Sequence, residues 1–354
     1  MSKAAHTSST ASLRLLDLPS EVVAAVAGHV TKYGALMLAC TSKSCLKAVK
    51  TAHPGKLRTA IQSMCRSISL VMWARNLPKP LCWDIKLMNA AAAEGNLRLV
   101  CMLYSGKVPA TSDTCCCAAK HGHLHIIKVL SAMGFEMDGK LCTCAASRGH
   151  VHVLEWAAHN GGCDWDETEC VEAAATFGHI EVLEWLVENG VSEFEEAAQL
   201  AVLAGHVHVL RWMRDVEVEF REGLCGIAAH FGKLDVLKFL HENGCPWNEE
   251  TCSQAATGGQ LDCLRYAHEN GCLWDAETCL YAARAGHPDC LRYAHENGCP
   301  WHKYICSWAA EGGHLDVLKY ARQNGCLWDK DMCAEHAEEG GHADVLAWIR
   351  TQAH

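Results

Sequence analysis

Cysteine and histidine are the side chains here with most chemistry to offer, 23 and 22 of them in 354 residues. Together they could hold zinc, but a zinc site shows its ligands at short fixed spacings, and no CxxC pair followed by a second CxxC or by HxxxH occurs. The densest candidate is His121, His123 and His125. His123 occupies a position that recurs along the chain, where an imidazole is expected to serve a structural hydrogen bond. Nucleophile and phosphate motifs are missing too: there is no Gly-x-x-x-x-Gly-Lys-Ser/Thr loop, no Gly-x-Ser-x-Gly elbow and no His-Glu-x-x-His. The expectation is a non-enzymatic protein with no cofactor and no bound metal.

The cysteines follow a spacing of another kind. Ten fall at two recurring positions: Cys163, Cys245, Cys272, Cys299 and Cys326 in one, and Cys170, Cys252, Cys279, Cys306 and Cys333 in the other. A small buried hydrophobe suits such positions in a stacked array. Residues 1–12 are small and polar and read as a disordered tail, not a secretory signal. Reduced thiols and a cytoplasmic location are therefore expected, with the nucleus as the alternative.

What positions these side chains is a repeat. Gly95, Gly122, Gly149, Gly178, Gly205, Gly232, Gly259, Gly286, Gly313 and Gly341 succeed one another at steps of 27, 27, 29, 27, 27, 27, 27, 27 and 28. A unit of that size cannot bury its apolar face alone and must stack on its neighbours. One copy shows how. Cys252, Ala255, Ala256 and Gly259 fall on one side of a short inner helix, with Gln254 and Thr257 opposite. Gly258-Gly259 stops it. Leu261, Cys263, Leu264, Tyr266 and Ala267 then form the apolar stripe of a second helix, closed by Asn270-Gly271. The loop Cys272 to Thr278 leads to the next unit, and no stretch alternates with period two long enough to make a strand.

The core Ala309-Ala310-Glu311-Gly312-Gly313-His314-Leu315-Asp316-Val317-Leu318 resembles the ankyrin repeat, over residues 85–354. Two departures stand out: the period is shorter than the family's ~33 residues, and Thr251-Cys252 or Thr278-Cys279 stands where the family has its Thr-Pro-Leu-His turn. Short Cys- and Trp-rich repeats of this kind are similar to those expanded in protists and large DNA viruses. The resemblance implies an all-α fold, a helical solenoid of about ten short repeats with stunted projecting fingers, that binds a protein cargo on its concave face. Residues 53–84 read as a divergent capping repeat, because Leu70-Val71-Met72-Trp73-Ala74 and Cys82-Trp83-Asp84 repeat the second helix and loop without the glycine.

Residues 13–52 are of another type. Leu18-Pro19-Ser20-Glu21-Val22-Val23, then Val26, His29 and Val30, then Leu36, Leu38, Ala39, Ser42, Lys43 and Leu46 outline three short amphipathic helices. This outline resembles the F-box, although Cys45 stands where a Trp is usual after Ser-Lys. That resemblance implies a Skp-type adaptor bound through Leu18, Pro19, Glu21, Val22, Leu36, Leu38 and Lys43, and a substrate receptor for a cullin-RING ubiquitin ligase. Two alternatives stand beside it: a plain helical cap for the array, and an ankyrin scaffold or host-interaction protein without a ligase link.

Charge narrows the partners. Residues 1–66 carry nine Lys and Arg against Asp17 and Glu21, a net of +7, so the overall −10 leaves −17 on the remainder. An acidic array repels nucleic acid, whose binding rests on neutralising phosphates. No run reaches the ~18 apolar residues of a membrane span. The expected state is a monomer that binds protein.

Subtracting the repeat isolates where that protein would sit. Eleven of the twelve tryptophans lie in loops or second helices, and Trp308 alone lies on an inner helix. The same place in earlier copies holds Tyr281, Gln254 and Ile227, and three residues on stand Glu311, Arg284, Thr257 and His230. Both sets face away from the small-residue side. His230, Gln254, Thr257, Tyr281, Arg284, Trp308 and Glu311 are therefore the predicted cargo-binding residues, with packing of Trp308 between inner helices as the competing role.

Overall fold

A computed structural model of the protein describes residues 83–135, 137–160 and 165–352, together with Cys65, Ile68 and Met72. The predicted tail, the F-box-like module with Leu18, Pro19, Glu21, Val22, Leu36, Leu38 and Lys43, and almost all of the predicted cap lie outside the described residues. Among the described residues there are twenty helices and no strand, the all-α helical repeat that the periodicity predicts, consistent with the ankyrin type that the resemblance implies. None of these helices is long and apolar enough to cross a membrane.

The helices form two compact units. In the first, which ends at Trp165, inner helices α1 (Ile85–Ala93), α3 (Ser112–Lys120) and α5 (Lys140–Ala146) pack in sequence. Each is backed by an outer helix: α2 (Leu97–Ser105), α4 (Leu124–Ala132) and α6 (Val151–His159). The second unit begins at Asp166 and repeats the scheme seven times. Its inner helices are α7 (Glu167–Phe177), α9 (Glu195–Ala204), α11 (Leu224–His230), α13 (Glu249–Thr257), α15 (Ala276–Ala285), α17 (Ile305–Glu311) and α19 (Lys330–Glu339). Its outer helices are α8 (Ile180–Glu188), α10 (Val207–Asp215), α12 (Leu234–Glu242), α14 (Leu261–Glu269), α16 (Pro288–Glu296), α18 (Leu315–Gln323) and α20 (Ala343–Thr351).

Small residues decide which helices touch. Paired alanines such as Ala228-Ala229, Ala255-Ala256, Ala282-Ala283 and Ala309-Ala310 are fully buried, so successive inner helices approach closely over one another. The outer helices fill the remaining space with larger side chains, for example Val236, Leu237 and Leu240. Each fully buried aliphatic of this size contributes about 1.5–3 kcal/mol.

The inner helices start earlier than the apolar pattern suggests. The sequence places the start of α13 at Cys252, whereas it begins at Glu249, because the Asn248 side chain accepts a hydrogen bond from the Glu250 amide. Asp275 caps α15 in the same way through the Glu277 amide. Thr251 and Thr278 are consequently buried in the first helical turn and are not turn residues.

Successive repeats are tied by histidine. The ring of His314 lies over Gly286, and its Nε2 is 3.0 Å from the Arg284 carbonyl. A carbonyl can only accept, so Nε2 carries the proton and donates it. His206 to Thr176 (3.0 Å) in the second unit and His123 to Ala93 (3.0 Å) in the first repeat the bond at the same spacing. Gly286 therefore meets two demands. It ends α15 in the left-handed region, φ +78°, and a Cβ there would stand 2.4 Å from the His314 ring.

These demands separate in a mutational comparison. Gly271 has φ +89° but open space around its Cβ position. Gly271→Ala should cost about 1–2 kcal/mol from backbone conformation alone. Gly286→Ala should cost more, because the His314 ring must also move; equal shifts of the urea midpoint for the two variants would show that the ring contact contributes nothing.

Candidate partner-binding face

The inner helices α11, α13, α15 and α17 turn their alanine side inward, and their opposite side carries all seven predicted residues. Gln254, Thr257, Tyr281 and Arg284 line one open depression of about 790 Å³, with Glu249, Glu250, Asp275 and Glu277 along its edge. Thr257 donates its hydroxyl to the Ser253 carbonyl at 2.7 Å, which fixes its rotamer and leaves its methyl outward. The acidic edge has a local cause. Glu249, Glu250 and Glu277 sit in first helical turns, where negative charge meets the positive end of the helix dipole.

Trp308 is half-buried, between the two roles expected of it. It does not disappear into the stack. Its ring is 6.3 Å from that of Tyr281, tilted by 43°, and the Arg284 guanidinium lies over it at 4.9 Å. Three side chains from two consecutive inner helices thus form one partly exposed group, with a half-buried apolar body and an exposed cationic top. A guanidinium over an indole is attracted by the ring quadrupole, by about 0.5–1 kcal/mol at an exposed site.

The other two predicted residues lie at the margins. Glu311 carries the face onto α19, where its Oε2 is 4.0 Å from His336 Nδ1. His230 is half-buried and meets the edge of the Phe231 ring at 4.9 Å; it does not line the depression. The structure joins Gln254, Thr257, Tyr281, Arg284 and Trp308 and leaves His230 apart.

Several features escaped the period subtraction. A second depression of about 830 Å³ lies along α7 and α9, rich in acid: Glu172, Glu193, Glu195, Glu196, Glu217 and Glu219. Burial, and then a hydrogen bond shared with Glu196, raise the Glu172 carboxyl above its usual range. Glutamates at 193, 195 and 196, then at 217 and 219, were the visible signal. On the outer helices, His241 stacks on Trp247 at 3.7 Å and its Nδ1 is 3.0 Å from the Tyr266 hydroxyl of the next helix. His268, Trp274 and Tyr293 repeat the arrangement. The loop tryptophans are therefore wedges between repeats.

Among the described residues no group of three or more His, Cys, Asp or Glu is arranged to hold a metal ion. His121 and His123 stack at 6.2 Å, but His123 Nε2 is committed to the Ala93 carbonyl and His125 Nε2 to the Gly95 carbonyl at 3.1 Å.

Comparison with known proteins agrees with the repeat. The family model described as ankyrin repeats (many copies) matches residues 171–214, which run from within α7 to the end of α10. A search of the curated proteins finds no match. Ankyrin repeats are protein–protein interaction modules and typically non-enzymatic scaffolds.

The Arg284–Trp308 contact can be measured without knowing the partner. In a double-mutant cycle of Arg284→Ala and Trp308→Ala, a coupling of about 0.5–1 kcal/mol in urea stability is expected. A coupling of zero would mean that the guanidinium merely passes over the ring.

Proposed function

We propose that the protein is a receptor which holds a protein cargo on the inner-helix face of α13, α15 and α17 and presents it to a ubiquitin ligase through residues 13–52. The observation that carries the first half is the partly exposed Tyr281–Arg284–Trp308 group. Large, stiff aromatic side chains and arginine dominate binding hot spots, because they combine apolar contact with directed hydrogen bonds at little entropic cost. Here they stand beside a polar depression whose Gln254 and Thr257 can orient a backbone or a side chain. The second half rests on sequence: Leu18-Pro19-Ser20-Glu21 and the leucines and lysine that follow resemble the module that docks a Skp-type adaptor. The acidic balance of the array supports a protein cargo over nucleic acid.

Both halves are open to direct test. Partners captured from cell extract on the full chain and lost from Trp308→Ala identify the cargo. With that cargo purified, the substitution should weaken binding by at least ~2 kcal/mol with little change in melting temperature. A lowered melting temperature with binding intact would make Trp308 a packing residue and move the cargo elsewhere.

For the ligase link, a purified Skp-type adaptor should bind the full chain, and a variant with Leu18→Asp and Pro19→Gly should lose that binding while keeping the cargo. If the unaltered chain shows no adaptor binding at micromolar concentration, the protein is an ankyrin scaffold without a ligase partner.

A further inference from the structure

Four consecutive repeats of the second unit each hold one cysteine on the inner helix and one just after the outer helix, and two of them carry a further buried cysteine on the outer helix, Cys263 or Cys290. Cys225, Cys252, Cys279 and Cys306 lie in the inner helices α11, α13, α15 and α17, and Cys245, Cys272, Cys299 and Cys326 follow them by 20 residues, just after the outer helices. All eight are buried and none is in a disulfide. Within each repeat the two thiols are close enough to shift one another's ionisation. Cys225 Sγ is 3.9 Å from the Cys245 carbonyl and Cys279 Sγ 4.0 Å from the Cys299 carbonyl, while Cys272 and Cys299 donate at 3.0 Å to the carbonyls of the capping residues Asn248 and Asp275.

A need for small apolar volume does not account for the pattern. In the two preceding repeats the positions seven before and thirteen after the glycine hold Val171 with Val191 and Ala198 with Val218, Cys170 standing one residue earlier. Across these six repeats of the second unit the two places are both cysteine or both aliphatic; in the first unit Cys115 stands with Phe135, so the pairing belongs to the second unit. Packing alone would tolerate one cysteine beside one valine. Chemistry that joins two sulfurs would not.

We propose that these four pairs, Cys225–Cys245, Cys252–Cys272, Cys279–Cys299 and Cys306–Cys326, are oxidation sites that a low-molecular-weight disulfide converts into four intramolecular disulfides. The loop cysteine is the attacking group. The hydrogen bond it accepts from its inner partner favours its thiolate and pushes its pKa down, while the inner thiol is pushed up. The loop sulfur displaces one half of the small disulfide, and the inner sulfur then displaces the other half from the mixed disulfide. Two protein thiols and one small disulfide become one protein disulfide and two small thiols, which carry off both protons. The product is neutral, which an apolar site favours over a charged dithiolate complex of a cation.

Access requires the loop after the outer helix to open, so oxidation is slow and local. Such a loop closes and opens without the helices melting. The four bonds would brace the repeats that carry Gln254, Thr257, Tyr281, Arg284 and Trp308, yet the thiol chemistry stands independently of any cargo.

The test uses the full chain, reduced, incubated with oxidised glutathione and then alkylated and mapped by mass spectrometry under non-reducing conditions. Expected are the four named linkages, eight thiols lost to alkylation, a raised melting temperature, and reversal of all three by dithiothreitol. Cys272→Ser should leave Cys252 free while the other three linkages form. Linkages scattered over other cysteines, stable glutathione adducts in place of linkages, or eight thiols that stay reduced would each overturn the proposal.

Discussion

The contact on which the array depends is a histidine of one repeat lying on the glycine of the repeat before it. The imidazole donates to a carbonyl 30 residues back, at the end of the previous inner helix, and its ring covers a glycine whose φ is positive. One side chain thereby satisfies a carbonyl that has no helical partner and fixes the distance between repeats. The period follows from this. Only a residue without Cβ can both turn the chain there and admit the ring. Where the histidine is replaced, the tie weakens but its place is still occupied: Lys233 covers Gly205 along its aliphatic stem, and Gln260 lies against Gly232 while donating to the Gly258 carbonyl at 2.8 Å.

From that spacing the proposed binding face is a geometric consequence. Once the alanine pairs are stacked, the residues five and two before the glycine lie opposite the alanine side on α13, α15 and α17. They are Gln254 and Thr257, Tyr281 and Arg284, Trp308 and Glu311. Nothing in the stack requires an aromatic or an arginine at these places, as Ile227 and His230 show one repeat earlier. The repeat sets positions, and the choice of side chain at the exposed ones is left for a ligand to determine.

Most of the fold was legible because a glycine with positive φ leaves a mark at a fixed interval, and amphipathic periodicity leaves one between the marks. What stayed hidden lies at contacts whose partners are not periodic neighbours on one helix. Helix starts moved to Glu249 and Ala276 because capping by Asn248 and Asp275 is a side-chain event outside the apolar stripe. The Arg284–Trp308 contact spans two repeats, and only the placement of both residues on one face could be read, not the guanidinium over the ring. Cys225 stands seven residues before Gly232, as Cys252 does before Gly259, so the thiol series begins one repeat earlier than the ten recurring cysteines named from the sequence suggest.

The two sides of the second unit use their aromatic residues differently, and this favours the inner side as the proposed binding side. On the outer helices each aromatic is already engaged. His268 lies flat on Trp274 at 3.7 Å, the Tyr293 hydroxyl meets His268 Nδ1 at 3.1 Å, and Arg265 sits 5.6 Å from the Tyr293 ring. Burial raises the phenols of Tyr266, Tyr293 and Tyr320, and the first two hydroxyls meet His241 and His268 as hydrogen-bond partners. A ligand there would have to break contacts that hold successive repeats together. On the inner side, Trp308 offers a half-exposed ring whose only charged cover is Arg284, a long side chain free to swing aside or to add a bond of its own. Binding on that side costs the fold little, and so the aromatic that the repeat does not need is the one a partner can use.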